Sequence, residues 1–236
     1  MTETLTIAVP SKGRLMELTY EYFNQRGLTM QKIGHARGYQ GEIDGYTDID
    51  IVYLSASEIA YQLKTGQVHM GVTGEDLVRE SIIGVDKHVE FLKQLEFGHA
   101  DVVVAVPDCW LDVRRMADLE EMATTFRARH ARRLKVATKY MNLTRQFFAN
   151  KDVAGYRIVE SLGATEGTPM GGTADLIVDI TSTGETLKAN HLRILEDGVM
   201  LQSQANLIAS RQADWGGGAA EIRMEIMAKL NQGEEE

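Results

Sequence analysis

Residues 174–187 read Ala-Asp-Leu-Ile-Val-Asp-Ile-Thr-Ser-Thr-Gly-Glu-Thr-Leu, and this stretch indicates the fold class of the chain. An apolar run rich in branched residues ends at Asp179 and passes at once into small hydroxyl residues and Gly184. A helix-forming run follows from Glu185 to Asn190. Branched apolar runs favour buried strands, and small hydroxyl residues with a glycine favour a tight turn. The stretch therefore predicts a buried strand, a loop and the N-terminus of a helix.

The loop after this predicted strand suits a phosphate group. Backbone N–H groups at a helix N-terminus are free to bind an anion, and the helix dipole adds partial positive charge. Ser and Thr hydroxyls supply further donors without bulk. Asp179 precedes the loop and is placed to accept hydrogen bonds from sugar hydroxyls beside the phosphate. The alternative is a plain N-capped turn, which is common in α/β proteins.

Four segments in order resemble the ATP phosphoribosyltransferase family, which opens histidine biosynthesis. Residues 179–190 resemble the loop with which that family binds 5-phosphoribosyl-1-pyrophosphate. Residues 5–15 resemble the family's opening strand and Lys-Gly-Arg-Leu turn, and residues 71–77 are similar to its Gly-Ile-Thr-Gly-x-Asp segment. Residues 139–148 are similar to its Lys-Tyr-x-Asn-Leu-Thr-Arg-x-Phe-Phe segment. One of these motifs alone is unspecific, whereas four in the same order are specific.

Length and composition describe an ordinary globular chain. It has 236 residues, 44% of them hydrophobic and 25% charged, so it can bury a core. The net charge of −9 argues against nucleic-acid binding, which requires a basic surface. Cys109 is the single cysteine, so no intrachain disulfide is expected. We expect a cytoplasmic protein that binds no membrane, because neither a signal peptide nor a long apolar run is visible.

Short apolar runs alternate with amphipathic stretches, which predicts an α/β fold with mostly parallel strands. Ser55 and Asn142 are the predicted helix N-caps. The predicted strands are 5–9, 49–54, 70–72, 102–106, 134–137, 157–160 and 176–180. The predicted helices are 15–26, 57–64, 76–81, 118–132, 143–150, 185–189 and 219–230.

The resemblance implies a more detailed architecture. It implies a two-lobed fold like that of type II periplasmic binding proteins, with the active site in the cleft between the lobes. Lobe I is expected at 1–100 plus 187–236, and lobe II, which carries the phosphate loop, at 101–186. A C-terminal regulatory domain is not expected, so the chain resembles the short form of the family. That form works with a separate regulatory subunit similar to histidyl-tRNA synthetase, and we expect a homodimer or a larger assembly.

The resemblance also implies the chemistry. N1 of ATP attacks C1 of phosphoribosyl pyrophosphate, giving phosphoribosyl-ATP and pyrophosphate, with Mg²⁺ as cofactor. No side chain is assigned as a metal ligand. Arg14 and Arg37 are the predicted catalytic residues, because a guanidinium can pair two oxygens of the leaving group. The residues predicted to bind phosphoribosyl pyrophosphate are Glu166, Asp179, Thr181, Ser182, Thr183, Gly184, Glu185 and Thr186. The residues predicted to bind the nucleotide or pyrophosphate are Lys12, Gly13, Gly71, Thr73 and Gly74.

One segment departs from the family pattern. Many members carry Arg-x-Arg-Asp-Ile-Pro where residues 54–60 read Leu-Ser-Ala-Ser-Glu-Ile-Ala. Which residues replace those arginines in binding ATP is left open.

Two other functions compete with this one. A non-catalytic protein of the same fold would bind a small anion, although the loop together with the Lys12–Arg14 turn favours an enzyme. A phosphoribosyltransferase for another base is the second, but type I enzymes usually carry two adjacent acids before the loop. This chain has Val178 and Asp179 there.

Overall fold

A computed structural model describes residues 4–33 and 39–232 of the chain. The strands are β1 Leu5–Pro10, β2 Met30–Lys32, β3 Gln40–Ile43, β4 Ile49–Leu54, β5 Met70–Gly74, β6 Val89–Gln94, β7 Ala100–Pro107, β8 Leu134–Thr138, β9 Tyr156–Glu160, β10 Leu176–Thr181, β11 Leu192–Ser203 and β12 Ala205–Ser210. The helices are α1 Gly13–Asn24, α2 Ala56–Thr65, α3 Glu75–Ser81, α4 Val85–His88, α5 Met116–His130, α6 Met141–Asn150, α7 Glu185–Ala189 and α8 Ala219–Asn231. A 3-10 turn spans Thr165–Gly167.

The first of two compact units runs up to Gly98 and resumes at Gln204. Its sheet has the order β2-β3-β4-β1-β5-β12-β6. Strand β1 is parallel to β4 and β5, and β12 is antiparallel to β5 and β6. Buried Phe23 of α1 and Ile226 of α8 belong to the core on one face, and Ile59 and Leu63 of α2 to the core on the other. Apolar helix stripes thus bury both faces of the sheet.

The second unit is the continuous segment His99–Ser203, with the strand order β11-β7-β10-β8-β9. Strands β10, β8 and β9 are parallel neighbours, and β7 is antiparallel to β10 and β11. Leu119 of α5 and Phe148 of α6 pack on one face of the sheet. Leu187 of α7 packs with Val103 and Ile177 on the other. The carboxyl ends of the three parallel strands form one edge, where ligands of open α/β sheets usually bind.

The α/β class with two sheets is confirmed, but the prediction of mostly parallel strands is wrong. Both sheets are mixed, because β2, β3, β6, β7, β11 and β12 all form antiparallel pairs. The return to the first unit lies at Ser203–Gln204 rather than at 186–187, because β11 pairs with β7 of the second unit along most of its length. The other division follows Gly98, close to the predicted residue 100.

The two predicted helix caps have different outcomes. The Ser55 hydroxyl accepts a hydrogen bond from the Glu58 N–H at 3.3 Å, so this cap is confirmed. The Asn142 cap is wrong, because α6 begins two residues earlier than predicted, at Met141, and Tyr140 occupies the cap position. In the part of the chain that the structure describes, none of the helices combines the length and the apolar composition needed to cross a membrane.

Candidate active site

The loop between β10 and α7 is closed by its own side chains. Gly184 has φ +75°, a left-handed conformation that glycine adopts without a steric penalty. The Thr181 hydroxyl accepts a hydrogen bond from the Gly184 N–H at 2.9 Å, and the Ser182 hydroxyl donates to the His99 carbonyl oxygen at 3.0 Å. Thr183 is exposed, and its hydroxyl contacts the Glu185 N–H at 3.4 Å. The predicted strand, loop and helix are therefore present.

A cavity of about 360 Å³ lies against this loop. Its lining residues come from β10, the loop, α7 and the 3-10 turn, and all belong to the second unit. They are Glu166, Asp179, Ile180, Thr181, Ser182, Thr183, Thr186 and Leu187. The structure thus brings together six of the eight residues predicted to bind phosphoribosyl pyrophosphate. Gly184 and Glu185, the other two, belong to the same loop and to the first turn of α7.

Two carboxylates, those of Asp179 and Glu166, line this cavity. Burial raises the pKa of Asp179 above its ordinary value, and the nearby negative charge of Glu166 adds to the rise. The Ile180 N–H, which donates to Asp179 Oδ1 at 2.8 Å, and the ammonium of Lys139 both oppose it. A half-buried carboxylate next to hydroxyl and N–H donors can accept hydrogen bonds from the hydroxyls of a sugar.

Lys139 is a residue of this region for which the sequence predicted no role. It lines a second cavity, of about 240 Å³, which also includes Asp179 and Ile180. The remaining lining residues are Leu162, Gly163, Ala164 and Thr165. The sequence does contain a signal for this residue. Lys139 lies just after the predicted strand 134–137, and Asp179 lies near the end of the predicted strand 176–180. Only the strand order shows that the two strands are neighbours.

Asp175, at the other end of β10, serves the fold. Its carboxylate forms a two-pronged ion pair with Arg132, at 2.6 and 2.9 Å, and accepts the Lys135 N–H at 2.7 Å. Burial works against ionisation of Asp175. The hydrogen bonds from Arg132 and Lys135, with the charge of Arg132, outweigh burial and hold its pKa below the ordinary value.

The predicted basic turn Lys12–Arg14 follows β1 in the first unit. Lys12 is the N-cap residue of α1, Gly13 has φ +76°, and Lys12, Gly13 and Arg14 are all exposed. Positive charge at a helix N-terminus is electrostatically unfavourable, so these cations do not serve the stability of α1. Arg37, the other predicted catalytic residue, lies outside the described residues.

Gly71 and Thr73, predicted to bind nucleotide, are buried in strand β5. A Cβ atom on Gly71 would lie 2.7 Å from Ile59 Cγ2 of α2, so this glycine lets the helix approach the strand. The Thr73 hydroxyl donates to the Ala56 carbonyl oxygen at 3.1 Å and is 0% exposed. Gly74 is the N-cap residue of α3. Packing accounts for Gly71 and Thr73, and nucleotide binding by these residues stays a prediction.

The described residues contain no group of three or more His, Cys, Asp or Glu side chains that could hold a metal ion. The Asp179–Glu166 pair is the carboxylate pair that lines the loop cavity.

Comparison with known proteins identifies the family. The family model described as ATP phosphoribosyltransferase matches residues 55–232, which is well over half of the chain. The chain belongs to the ATP phosphoribosyltransferase family. Among its relatives, the ATP phosphoribosyltransferase of Nitrobacter winogradskyi is 60% identical over 227 residues, which cover 96% of this chain and 70% of that protein. The enzyme of a Bradyrhizobium species is 60% identical over 231 residues, covering 98% of this chain and 71% of that one.

Solved structures support the fold. A chain of the ATP phosphoribosyl transferase (HisG:HisZ) complex from Thermotoga maritima matches with a TM-score of 0.73 and 23% identity, covering 96% of both chains. An ancestral arginine-binding protein bound to arginine matches with a TM-score of 0.52 and 14% identity, over 98% of this chain and 92% of that one. The predicted resemblance to periplasmic binding proteins is therefore confirmed at the level of the fold.

Membership of the ATP phosphoribosyltransferase family also fixes the reaction. The chain is a transferase that joins ATP to the phosphoribosyl group of phosphoribosyl pyrophosphate, the first step of histidine biosynthesis. The two competing functions, an anion-binding protein and a phosphoribosyltransferase for another base, are set aside.

Proposed function

We propose that the cavity of the second unit binds phosphoribosyl pyrophosphate for this reaction. The 5-phosphate lies against the loop 181–186, where backbone N–H groups and the Thr183 hydroxyl donate to its oxygens. The carboxylates of Asp179 and Glu166 accept hydrogen bonds from the 2- and 3-hydroxyls of the ribose. The observation that carries this proposal is the lining of one cavity by both the loop and the two acids.

Catalysis then consists of alignment and of stabilising the leaving group. Adenine N1 has a free lone pair, so it attacks C1 without a strong general base. The C1–O bond to pyrophosphate breaks, and the negative charge that develops on the departing oxygen needs positive charge nearby. We assign this role to Arg14 and Arg37, with Lys12 and Gly13 as further contacts to phosphate.

Mg²⁺ fits the residues present. It commonly binds through one or two carboxylates together with phosphate oxygens of the substrate and water. Asp179 and Glu166 supply such a pair beside the loop, so they would hold the ion together with the substrate. When bound, Mg²⁺ neutralises charge on the pyrophosphate oxygens.

The assembly is also a proposal. The Thermotoga maritima neighbour is named as part of a HisG:HisZ complex. We propose that this chain likewise forms a hetero-oligomer with a regulatory subunit similar to histidyl-tRNA synthetase, built on a homodimer or larger assembly. Sedimentation of the chain with and without such a subunit tests this, and a chain that sediments unchanged in its presence contradicts it. A cytoplasmic location stays a prediction.

The leaving-group assignment has a kinetic test. Protein, ATP, phosphoribosyl pyrophosphate and Mg²⁺ are mixed, and product is followed by the absorbance of the modified adenine. Arg14→Ala is expected to lower kcat more than it raises KM, because the contact strengthens as charge develops. Arg14→Lys keeps the charge and is expected to retain more activity. A rise in KM with unchanged kcat would instead show that Arg14 binds the substrate and does not stabilise the leaving group.

A further inference from the structure

The smaller cavity of the second unit, here called the Lys139 cavity, adjoins the cavity at the loop. Both cavities are lined by Asp179 and Ile180. Residues 181–183 and helix α7 line only the loop cavity, whereas Lys139 and residues 162–165 line only the Lys139 cavity. The two cavities therefore meet at Asp179 and extend from it in different directions.

The shape of phosphoribosyl pyrophosphate fits two cavities that meet at Asp179. In ribose the 5-phosphate and the C1 substituent lie at opposite ends of the ring, and the 2- and 3-hydroxyls lie along the edge between them. In the proposed site the 5-phosphate lies on the loop 181–186 and the hydroxyls on Asp179. The group on C1 then extends past Asp179, away from the loop. The Lys139 cavity, of about 240 Å³, begins at this point.

The charge of the Lys139 cavity suits an anion on its outer side. Lys139 is the cation of its lining, and residues 162–165, Leu-Gly-Ala-Thr, are uncharged. The acid of the lining is Asp179, where the two cavities meet. A lysine ammonium is a compact charge with three hydrogen-bond donors, and it binds phosphate oxygens well. The substituent on C1 is the pyrophosphate group, which carries several negative charges.

The backbone of Lys139 is fixed by its neighbours, and its side chain is accessible. Thr138 and Tyr140 are both 0% exposed, whereas Lys139 is exposed. The Thr138 hydroxyl accepts the Tyr140 N–H at 2.8 Å. The Lys139 ammonium lies 4.9 Å from the centroid of the Tyr140 ring, a contact that orients the side chain. The cation is thus held at the cavity and can still contact a ligand.

The stability of the fold does not explain a cation at this position. Lys139 precedes the Tyr140 cap of α6, where the positive end of the helix dipole disfavours positive charge. Among the described residues, its ammonium forms neither a hydrogen bond nor an ion pair, although its charge acts on Asp179. The donors of this ammonium are therefore available to a ligand.

We propose that Lys139 is a catalytic residue that binds the pyrophosphate group of phosphoribosyl pyrophosphate in the Lys139 cavity. The inference deepens the proposed function and rests on it. N1 of ATP supplies the electron pair of the new bond to C1. The pair of the breaking C1–O bond stays on the departing oxygen, so the negative charge of pyrophosphate grows and the contact with the ammonium strengthens. Lys139 adds this contact to those proposed for Arg14 and Arg37.

The test compares three ligands on the full chain. Phosphoribosyl pyrophosphate carries both the 5-phosphate and the pyrophosphate, ribose 5-phosphate lacks the pyrophosphate, and inorganic pyrophosphate lacks the sugar. Calorimetry with Mg²⁺ measures the affinity for each ligand, and initial rates give kcat. Lys139→Met removes the charge, and Lys139→Arg keeps it. Arg133→Met is the matched control, because it removes a positive charge about 20 Å away along the same strand, beyond the Debye length of about 8–10 Å.

Lys139→Met should weaken the binding of phosphoribosyl pyrophosphate and of pyrophosphate roughly tenfold, the lower end of the range for a hydrogen bond to a charged group, because Lys139 is exposed. Ribose 5-phosphate should bind as it does to wild type, because no group on its C1 reaches the cavity. The kcat of Lys139→Met should fall as well. Lys139→Arg should retain more affinity and more activity, and Arg133→Met should behave as wild type.

Two results would overturn the role of Lys139. One is unchanged affinity of Lys139→Met for phosphoribosyl pyrophosphate, or an unchanged kcat. The other is an equal loss of affinity for ribose 5-phosphate, which would place the contact on the sugar or the 5-phosphate. Thr183→Val tests the proposed function separately, since it should weaken ribose 5-phosphate and phosphoribosyl pyrophosphate alike. If Thr183→Val binds both as wild type does, the proposed site fails, whatever Lys139→Met shows.

Discussion

Asp175 and Asp179 stand at opposite ends of strand β10, and their carboxylates have opposite surroundings. Asp175 accepts three hydrogen bonds from Arg132 and Lys135, which hold its pKa low despite burial. For Asp179, burial and the charge of Glu166 raise the pKa. The Asp175 carboxylate thus stabilises the fold, whereas the Asp179 carboxylate, on the cavity wall, can still accept hydrogen bonds.

Because the pKa of Asp175 is lowered in the folded protein, we expect Asp175 to make a pH-dependent contribution to stability. Its pKa is lower in the folded than in the unfolded state, so the contribution is complete above the ordinary aspartate pKa and is lost as the pH falls through the folded value. At pH 7, Asp175→Asn should lower the free energy of unfolding by about 1–3 kcal/mol. Urea titrations between pH 7 and 3 measure the difference, with Asp112→Asn at an exposed position as control. A difference that does not shrink in acid would contradict this.

Gly71 gives a second prediction at this scale. A Cβ atom would meet Ile59 Cγ2 at 2.7 Å and Leu63 Cδ1 at 3.2 Å, so Gly71→Ala overpacks the contact between α2 and β5. The expected loss of stability is about 1–3 kcal/mol. The KM for ATP should stay at the wild-type value if Gly71 serves packing alone. A stable variant with a raised KM for ATP would restore the nucleotide-binding prediction.

At the scale of elements, the turn between β10 and α7 is held closed by hydrogen bonds of its own side chains. The Thr181 hydroxyl accepts the Gly184 N–H, and Gly184 adopts the left-handed conformation that closes the turn. A turn that is already closed loses less conformational entropy when it binds phosphate. Helix α7 has only five residues, so its packing through Leu187, more than its length, holds the turn in place.

Thr181→Val tests this organisation, because valine keeps the shape and removes the hydroxyl. The freed Gly184 N–H loses a neutral hydrogen bond worth about 0.5–1.5 kcal/mol, so the KM for phosphoribosyl pyrophosphate should rise roughly two- to tenfold. Initial rates measure it. Since Thr181 acts on the loop rather than on the leaving group, kcat should change little. A large fall in kcat with unchanged KM would contradict a role in loop closure.

The sequence predicted the parallel strands and this turn, because both depend on local signals. Branched apolar runs mark β1, β4, β8 and β10, and small hydroxyl residues with Gly184 mark the turn. Strands β2 and β3 were not predicted, since they have only three and four residues and each contains two exposed polar residues. Strand β11 was missed because two register shifts and Gly198 interrupt its alternation.

The candidate site likewise contains residues that the sequence predicted and a residue that it did not. Asp179 and the loop residues follow one another along the chain, so one motif revealed them together. Lys139 is 40 residues away in sequence and becomes a neighbour only because β8 pairs with β10. Gly71 shows the converse, since a glycine that resembles a ligand-binding residue in sequence is required by the approach of α2. Local sequence patterns therefore did not predict which strands pair or which residues pack against each other.

At the scale of the molecule, a chain of net charge −9 acts on two polyanionic substrates. In the proposed site the loop would resolve this conflict locally, because backbone N–H groups and hydroxyls can bind a phosphate without a large basic surface. All lining residues of the loop cavity come from the continuous second unit, whereas the Lys12–Arg14 turn belongs to the first.

In the proposed function, the loop after β10 binds the phosphate of phosphoribosyl pyrophosphate. Isothermal titration calorimetry with this substrate and Mg²⁺ tests it on wild type, Thr183→Val and the exposed control Thr125→Val in α5. A hydrogen bond to a charged group is worth about 1.5–3 kcal/mol, so Thr183→Val should weaken binding roughly ten- to a hundredfold. Thr125→Val should bind as wild type does. Equal affinity of Thr183→Val and wild type would contradict the assignment of the phosphate to this loop.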